Sequence, residues 1–285
     1  MNYRHAFHAG NHADVLKHVV VLALCDALTS KPAACFALDT HAARGLYKLD
    51  GESAQKTGEA LDGVARLQAE APRNAALQRY LTAVKACRQQ HGAHAYPGSP
   101  WLLAHALREQ DRIAACELLP EEAAALKANL GQDPRIAVHQ RDGYAAIKAL
   151  LPPRHAARKF ARGLVLIDPP YEAQRDEFDT ALAAIREALA RWPQGMLALW
   201  YPIKQRRVLQ GFYRRAAALE AKSALVLELL VRADDSLLRM NGSGMLLLNA
   251  PWQFDQSMRP AMDAMRDALG EAGAEARVEW LRQPV

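Results

Sequence analysis

The chain has 285 residues, 51% of them hydrophobic and 24% charged, and its formal net charge is +5. This length and composition are typical of one large globular domain, with or without an insertion, and the basic charge permits an anionic partner without proving one. No signal-peptide core and no apolar run of about 18 residues is present, so we expect a cytoplasmic protein that does not cross a membrane.

The first predicted element is a helix over residues 11–28, which Asn11 can cap and in which an apolar stripe begins at Val15. Seven short apolar runs that are typical of strands follow, at residues 34–38, 113–117, 135–139, 164–168, 196–200, 224–231 and 245–249. Helical patterns separate most of them, which predicts an α/β fold with a mostly parallel, seven-stranded, doubly wound sheet. A short polar turn joins the last two runs, so these can pair antiparallel.

One connection is too long for an ordinary strand–helix–strand step. The first strand ends at Asp39 and the second at Glu117, and the excess lies in residues 51–96, which are helical in pattern and rich in alanine. We therefore predict a helical insertion over residues 51–96. It interrupts one domain, whose first part is residues 1–50 and whose second part is residues 97–285.

The most informative segment is Asp168-Pro169-Pro170-Tyr171, which follows a buried strand. Ligands of open α/β sheets bind at the carboxyl ends of the strands, where this segment is expected to lie. The prolines end the strand and remove two N–H donors, so the Asp168 carboxylate and the neighbouring carbonyls act as acceptors. Tyr171 adds a flat ring. This set suits a planar base that carries an exocyclic amine.

An adenine amine is a poor nucleophile, because its lone pair is delocalised into the ring. Acceptors that hold its two hydrogens favour a pyramidal nitrogen, which can then attack an electrophilic methyl group in line. Catalysis of this kind depends on positioning and preorganised electrostatics and needs no covalent intermediate. Asp168 would align the amine and accept its proton late. On the tetrapeptide alone, a simple strand-ending turn remains an alternative.

Other acids also follow predicted strands. Asp39, Glu117 and Asp142 accompany Asp168 at strand ends, where an acid after the second strand can accept from two ribose hydroxyls. Asp142 can accept from an adenine amine, while Gly143 lets the backbone approach. Singly, each acid is more readily explained as a turn residue or a helix cap; together they indicate a ligand site.

The chain also contains histidines and basic clusters. The N-terminal histidines lack the close pairing with Cys or carboxylates that zinc sites show, so no metal is expected. Lys204, Arg206 and Arg207 follow the predicted strand that ends at Trp200, so they begin at the carboxyl edge, where they can hold phosphates. A second basic cluster, at residues 154–162, precedes its strand and is expected away from the site.

These motifs resemble the class I S-adenosylmethionine-dependent methyltransferases, and Asp168-Pro169-Pro170-Tyr171 resembles the signature of their amino-methylating branch. The chain is most similar to the RlmJ family of bacterial adenine-N6 methyltransferases of large-subunit (23S) ribosomal RNA. The resemblance rests on the blocks 3–18, 39–42, 96–100, 107–111, 166–171 and 198–202, and extends over essentially the whole chain.

The resemblance implies a Rossmann-like class I fold, S-adenosylmethionine as cofactor, and protein-poor ribosomal RNA as the partner of a monomeric enzyme. The implied cofactor contacts are His18, His41, Ser99, Glu117, Asp142 and Gly143, and the implied catalytic segment is Asp168, Pro169, Pro170 and Tyr171. Residues expected near the RNA are Tyr3, Arg4, His5, Lys17, Lys204, Arg206 and Arg207. The family loop after Asp39 usually reads His-Ala-Gly-Ala-Gly, whereas this chain has Ala43 and Arg44 in its third and fourth positions.

Two kinds of alternative remain open at this point. Within the same chemistry, the motif also fits methylation of DNA adenine at N6, or methylation of the amide nitrogen of a glutamine. From another class, the changed loop permits an RNA-binding protein with a vestigial methyltransferase fold. Binding of the cofactor separates an enzyme from a vestigial fold.

Overall fold

The computed structural model describes residues 7–51, 58–70, 72–156, 158–171, 174–237 and 240–284. Its strands are β1 (Cys35–Asp39), β2 (Leu46–Lys48), β3 (Ala95–Pro97), β4 (Arg112–Glu117), β5 (Ile136–Gln140), β6 (Arg154–His155), β7 (Arg158–Lys159), β8 (Arg162–Ile167), β9 (Met196–Ile203), β10 (Ala224–Leu230), β11 (Gly242–Leu248) and β12 (Glu275–Arg282).

Eight of the described strands form one sheet in the order β12-β10-β11-β9-β8-β1-β4-β5. The five strands from β9 to β5 are parallel, whereas the pairs β9–β11, β11–β10 and β10–β12 are antiparallel. The mostly parallel α/β fold and the antiparallel pairing of β10 with β11 are confirmed. The predicted number of strands, seven, was wrong, because the described sheet has eight. The eighth, β12, is an edge strand, and its alternating charged and apolar residues hid it from a search for apolar runs.

The α-helices are α1 (His12–Thr29), α2 (Arg66–Glu70), α3 (Ala75–His91), α4 (Ser99–Ala106), α5 (Pro120–Leu130), α6 (Gly143–Leu150), α7 (Gln174–Arg191), α8 (Gln210–Ala217) and α9 (Phe254–Leu269). They cover both faces of the sheet and create two apolar cores, one containing α1, α3 and α9 and the other α7 and α8. The Asn11 side chain accepts the backbone N–H groups of Ala13 and Asp14, as a helix cap should.

The segment between β1 and β4 holds the hairpin β2–β3, which encloses a π-helix (Leu61–Ala65), α2 and α3. Gly63, inside the π-helix, lies so close to the start of α1 that an added Cβ would be 2.0 Å from the carbonyl oxygen of Gly10. Val64 also donates its backbone N–H to that oxygen at 2.8 Å. That residues 51–96 form a separate helical subdomain stays a prediction. Part of this segment packs directly on the start of α1.

The carboxyl edge of the sheet gathers the loops that carry the motifs. Strands β1, β4, β5 and β8 all end there because they are parallel, and so does β9. Leu230, the last residue of β10, pairs with Gly242, which also pairs with Ile203 at the end of β9. The connection from β10 to β11 therefore lies on the same edge as Asp168. The basic hairpin β6–β7 precedes β8 and lies toward the opposite edge.

Candidate active site

Asp168 lies directly after β8, and its carboxylate is held by a residue from the first helix. The Lys17 ammonium donates to Asp168 Oδ2 at 2.5 Å and is 2.9 Å from Asp14 Oδ1. Asp14 Oδ2 in turn accepts the backbone N–H of Gly10 at 2.9 Å. The Lys17 and Asp14 side chains are almost fully buried, so a low-dielectric network joins the start of α1 to the strand end.

The residues after Asp168 supply acceptors and an aromatic wall. The Tyr171 hydroxyl donates to the carbonyl oxygen of Trp200 at 2.9 Å. The two rings pack edge to face, with their centroids 5.7 Å apart and their planes inclined by 65°. Burial raises the pKa of Tyr171 well above its ordinary value, so its hydroxyl is a neutral donor and not a base. The ring is therefore fixed in orientation beside Pro170.

A first pocket opens between Asp168 and the ends of β1, β4 and β5. Its wall contains five of the six cofactor residues predicted from the sequence, His41, Ser99, Glu117, Asp142 and Gly143. Residues that the sequence reasoning did not single out complete the wall, among them Thr40, Tyr47, Leu118 and Tyr144. Loops from three neighbouring parallel strands converge here.

Glu117 places a carboxylate on this wall. It accepts the backbone N–H of Leu119 at 2.7 Å. Burial raises its pKa, while backbone N–H groups of Leu119, Ala43 and Leu118 act in the opposite direction. Ala43 has a φ of 44°, a left-handed conformation that costs an alanine free energy and a glycine much less. The loop that faces Glu117 thus carries an alanine where the backbone favours glycine.

Ser99 begins α4 and lies above a buried acid. Its hydroxyl donates to Asp39 Oδ2 at 2.7 Å. Asp39 is completely buried, and this burial raises its pKa to about 7; the Ser99 hydrogen bond opposes the rise and the nearby Asp168 adds to it. Asp39 was expected among the strand-end acids but not as a cofactor contact, and it supports the pocket from beneath without lining its wall.

Asp142 and Gly143 form the start of α6. Asp142 Oδ1 accepts the N–H of Ala145 at 2.7 Å, so this side chain caps the helix through one of its two oxygens. A Cβ on Gly143 would lie 2.1 Å from the Thr40 carbonyl oxygen, so only glycine fits between the two loops. Burial lowers the pKa of His41 to about 4, which leaves a neutral ring on the same wall.

His18 is the predicted cofactor residue that the structure does not bring to this pocket. Its side chain is fully buried, and its Nδ1 lies 3.1 Å from the Tyr96 hydroxyl, which contacts Tyr80 in turn. Consecutive helical residues point about 100° apart. Lys17, predicted as an RNA contact, therefore faces the pocket while His18 points into the core.

A second pocket adjoins the first at Asp168. It has a volume of about 580 Å³, and its wall includes the start of α1, Pro169, Tyr171, Trp200 and Pro202, together with Arg232 and Met240 from the β10–β11 connection. Lys17, Asp168 and Pro170 line both pockets. Asp168 thus stands where two concave sites meet, an arrangement that suits transfer of a group from one ligand to another.

The residues predicted to contact RNA have varied surroundings. Tyr3, Arg4 and His5 lie outside the described residues. Arg206 is engaged by two carboxylates, Glu228 Oε2 at 3.2 Å and Glu275 Oε2 at 2.7 Å. Lys204 and Arg207 are exposed beyond the end of β9 and line neither pocket. Of this group, Lys17 alone among the described residues reaches the site.

Among the described residues, no group of three or more His, Cys, Asp or Glu side chains has the arrangement of a metal site. Within the same part of the chain, no helix combines the length and apolar character needed to cross a membrane.

The chain is similar to known proteins in sequence and in structure. The family model described as "Ribosomal RNA large subunit methyltransferase D, RlmJ" matches residues 32–282. Two relatives are named "Ribosomal RNA large subunit methyltransferase J": the Escherichia coli protein is 38% identical over 282 residues and the Haemophilus influenzae protein 37% over 287 residues, each alignment covering 99% of both chains. A crystal structure of a Legionella pneumophila protein matches with a TM-score of 0.83 and 28% identity, covering 96% of this chain and 98% of that one.

Proposed function

The chain belongs to the RlmJ family of ribosomal RNA large subunit methyltransferases, and from this membership and its site we propose that it methylates the N6 amine of an adenine in large-subunit ribosomal RNA, with S-adenosylmethionine as donor. The observation that carries the proposal is the meeting of two pockets at Asp168. The first pocket takes the cofactor, and the second takes the target base.

The first pocket offers acceptors that fit the cofactor's hydroxyl and amine donors. Glu117 accepts from the two ribose hydroxyls, and Asp142 accepts from the adenine amine beside Gly143. Ser99, whose hydroxyl donates to Asp39, begins α4, and the N-terminus of a helix favours the cofactor's carboxylate. When bound, S-adenosylmethionine supplies an electrophilic methyl group.

Asp168 orients the target amine. Its carboxylate and a neighbouring proline carbonyl accept the two N6 hydrogens, which localises the nitrogen lone pair for in-line attack. Lys17 holds Oδ2 in place, so the other carboxylate oxygen keeps a fixed direction. After the methyl group has moved, Asp168 accepts the proton that the amine releases.

The second pocket suits a flat, neutral base. Tyr171 and Trp200 provide aromatic wall, and Pro170, Pro202 and Met240 add apolar surface. The target adenine must leave its stack to enter, as bases do in other enzymes that modify them. Lys204 and Arg207 are exposed at the same edge of the sheet, where they attract the phosphates of the RNA. Contacts from Tyr3, Arg4 and His5 remain a prediction.

The test compares methyl incorporation from labelled S-adenosylmethionine into protein-free large-subunit ribosomal RNA, assembled large subunits and duplex DNA. The proposal expects protein-free RNA to be the best substrate. A preference for DNA would support the alternative DNA methyltransferase. Loss of both cofactor binding, measured by calorimetry, and methyl transfer to any nucleic acid would support the vestigial fold.

A further inference from the structure

Leu237 is a solvent-exposed apolar residue on the β10–β11 connection, which contributes to the wall of the second pocket. Its side chain is 97% exposed, more than that of any other large hydrophobic residue in the described part of the chain. It lies on the β10–β11 connection, between Arg232 and Met240, which both line the pocket that contains Asp168. Single exposed leucines are common on protein surfaces, so position and anchoring must distinguish this one.

The backbone beside Leu237 is anchored. Asn241 is fully buried, and its amide donates to the carbonyl oxygens of Lys204 at 2.7 Å and Ser236 at 3.0 Å. The N–H of Ser236 also donates to the Ala233 carbonyl oxygen at 3.1 Å. The residue that precedes Leu237 is thus tied to the end of β9 and to its own loop. The backbone before Leu237 is therefore held, and the connection on which Leu237 lies contributes Arg232 and Met240 to the second pocket.

This inference rests on the proposed function. An adenine that enters the second pocket leaves a gap in the stack from which it came, and proteins that distort nucleic acids insert apolar side chains between bases. We propose that Leu237 is a wedge, which enters the RNA stack at the position that the target adenine vacates. Leu237 therefore contacts the base or base pair next to the target in a folded RNA segment.

A wedge has consequences that a simple wall contact does not have. It lowers the cost of opening a stacked structure, so its removal affects a folded substrate and spares an unstructured one. It also acts when no methyl group is transferred, because it stabilises the opened RNA. Lys204 beside the loop attracts the neighbouring phosphates, whatever the side chain at 237.

The matched variants are Leu237→Ala, Leu237→Met and Val208→Ala. Methionine is apolar and of similar size, although it is unbranched. Val208 is also an exposed aliphatic residue, at 60%, but it lies in the 3₁₀-helix Arg206–Leu209 and lines neither pocket. Two substrates of the same sequence are needed around the target: a stable hairpin with the target adenine stacked, and an oligonucleotide too short to fold.

The kcat/KM of Leu237→Ala on the hairpin should be roughly tenfold lower than that of the wild type, which corresponds to about 1.4 kcal/mol. On the short oligonucleotide its kcat/KM should change little. Leu237→Met and Val208→Ala should stay near wild type on both. An equal loss on both substrates, or no loss on the hairpin, would overturn the wedge.

A second readout separates this inference from the proposed function. With 2-aminopurine at the target position of the hairpin, wild-type binding should raise the fluorescence as the base unstacks, and Leu237→Ala at saturating protein should give a clearly smaller rise. An unchanged rise overturns the wedge even if the enzyme is active. A wild-type protein that transfers no methyl group to any RNA contradicts the proposed function, while the fluorescence still decides the role of Leu237.

Discussion

The Lys17 ammonium lies 2.5 Å from Asp168 Oδ2, although the two residues are 151 positions apart in the chain. The contact joins the first helix to the segment that we propose orients the target amine. It also places a cation in the wall shared by the two pockets. Catalysis in this protein should therefore depend on a residue far from the catalytic motif in sequence.

The first prediction concerns Lys17. In Lys17→Met the buried Asp14 and the mostly buried Asp168 lose their shared cation, and breaking a buried pair from one side typically costs about 3–5 kcal/mol. We expect a clear fall in the free energy of unfolding and a fall in kcat larger than the change in cofactor affinity. The double variant with Asp168→Asn should show coupling, because both changes remove the same ion pair. Additive effects in denaturation and kinetics would contradict the role assigned to this contact.

The second prediction concerns Glu117. Glu117→Ala should weaken binding of S-adenosylmethionine, because a hydrogen bond to a charged group contributes about 1.5–3 kcal/mol. Glu117→Gln keeps one acceptor oxygen and should lose less affinity. Isothermal calorimetry with the cofactor alone measures both. Equal affinities for wild type and Glu117→Ala would mean that the cofactor's ribose is bound elsewhere.

The third prediction is a pH dependence of stability that arises from Asp39. Burial raises its pKa from 3.8 to about 7 in the folded protein, so the folded state favours the neutral acid. This contribution is fully present below about pH 4 and is lost as the pH rises through 7. Asp39→Asn should therefore melt close to wild type at pH 4 and several degrees higher at pH 8. A difference in melting temperature that does not change between these pH values would show that Asp39 does not titrate this way.

The fourth prediction concerns the loop after β1. Ala43 has a φ of 44°, and the left-handed conformation costs a non-glycine residue about 1 kcal/mol or more. Ala43→Gly should raise the melting temperature by about 2 °C or more and preserve or tighten cofactor binding. Ala42→Gly is the matched control, since Ala42 does not have a positive φ, and it should lower stability. If both glycine variants lower the melting temperature equally, the loop carries no strain at Ala43.

Residues near strand ends were predictable from the sequence, and residues that reach the site from elsewhere were not. Glu117 and Asp142 could be placed together because parallel strands bring their carboxyl ends to one edge. The sequence placed Lys17 in the first helix as an expected RNA contact, but it did not show that this residue approaches the strand end at Asp168. A cofactor contact at His18 stays a prediction: a motif match gives no rotation about the helix axis, and the described side chain is buried against Tyr96.

We propose that the protein transfers a methyl group to adenine N6 through Asp168. The most direct measurement is mass spectrometry of nucleosides from protein-free large-subunit ribosomal RNA, after incubation with S-adenosylmethionine and either wild-type protein or Asp168→Ala. We expect N6-methyladenosine with the wild type and none above background with the variant, which should stay folded and still bind the cofactor. A methyl group on another atom or nucleoside, or near-wild-type N6-methyladenosine from Asp168→Ala, would contradict it.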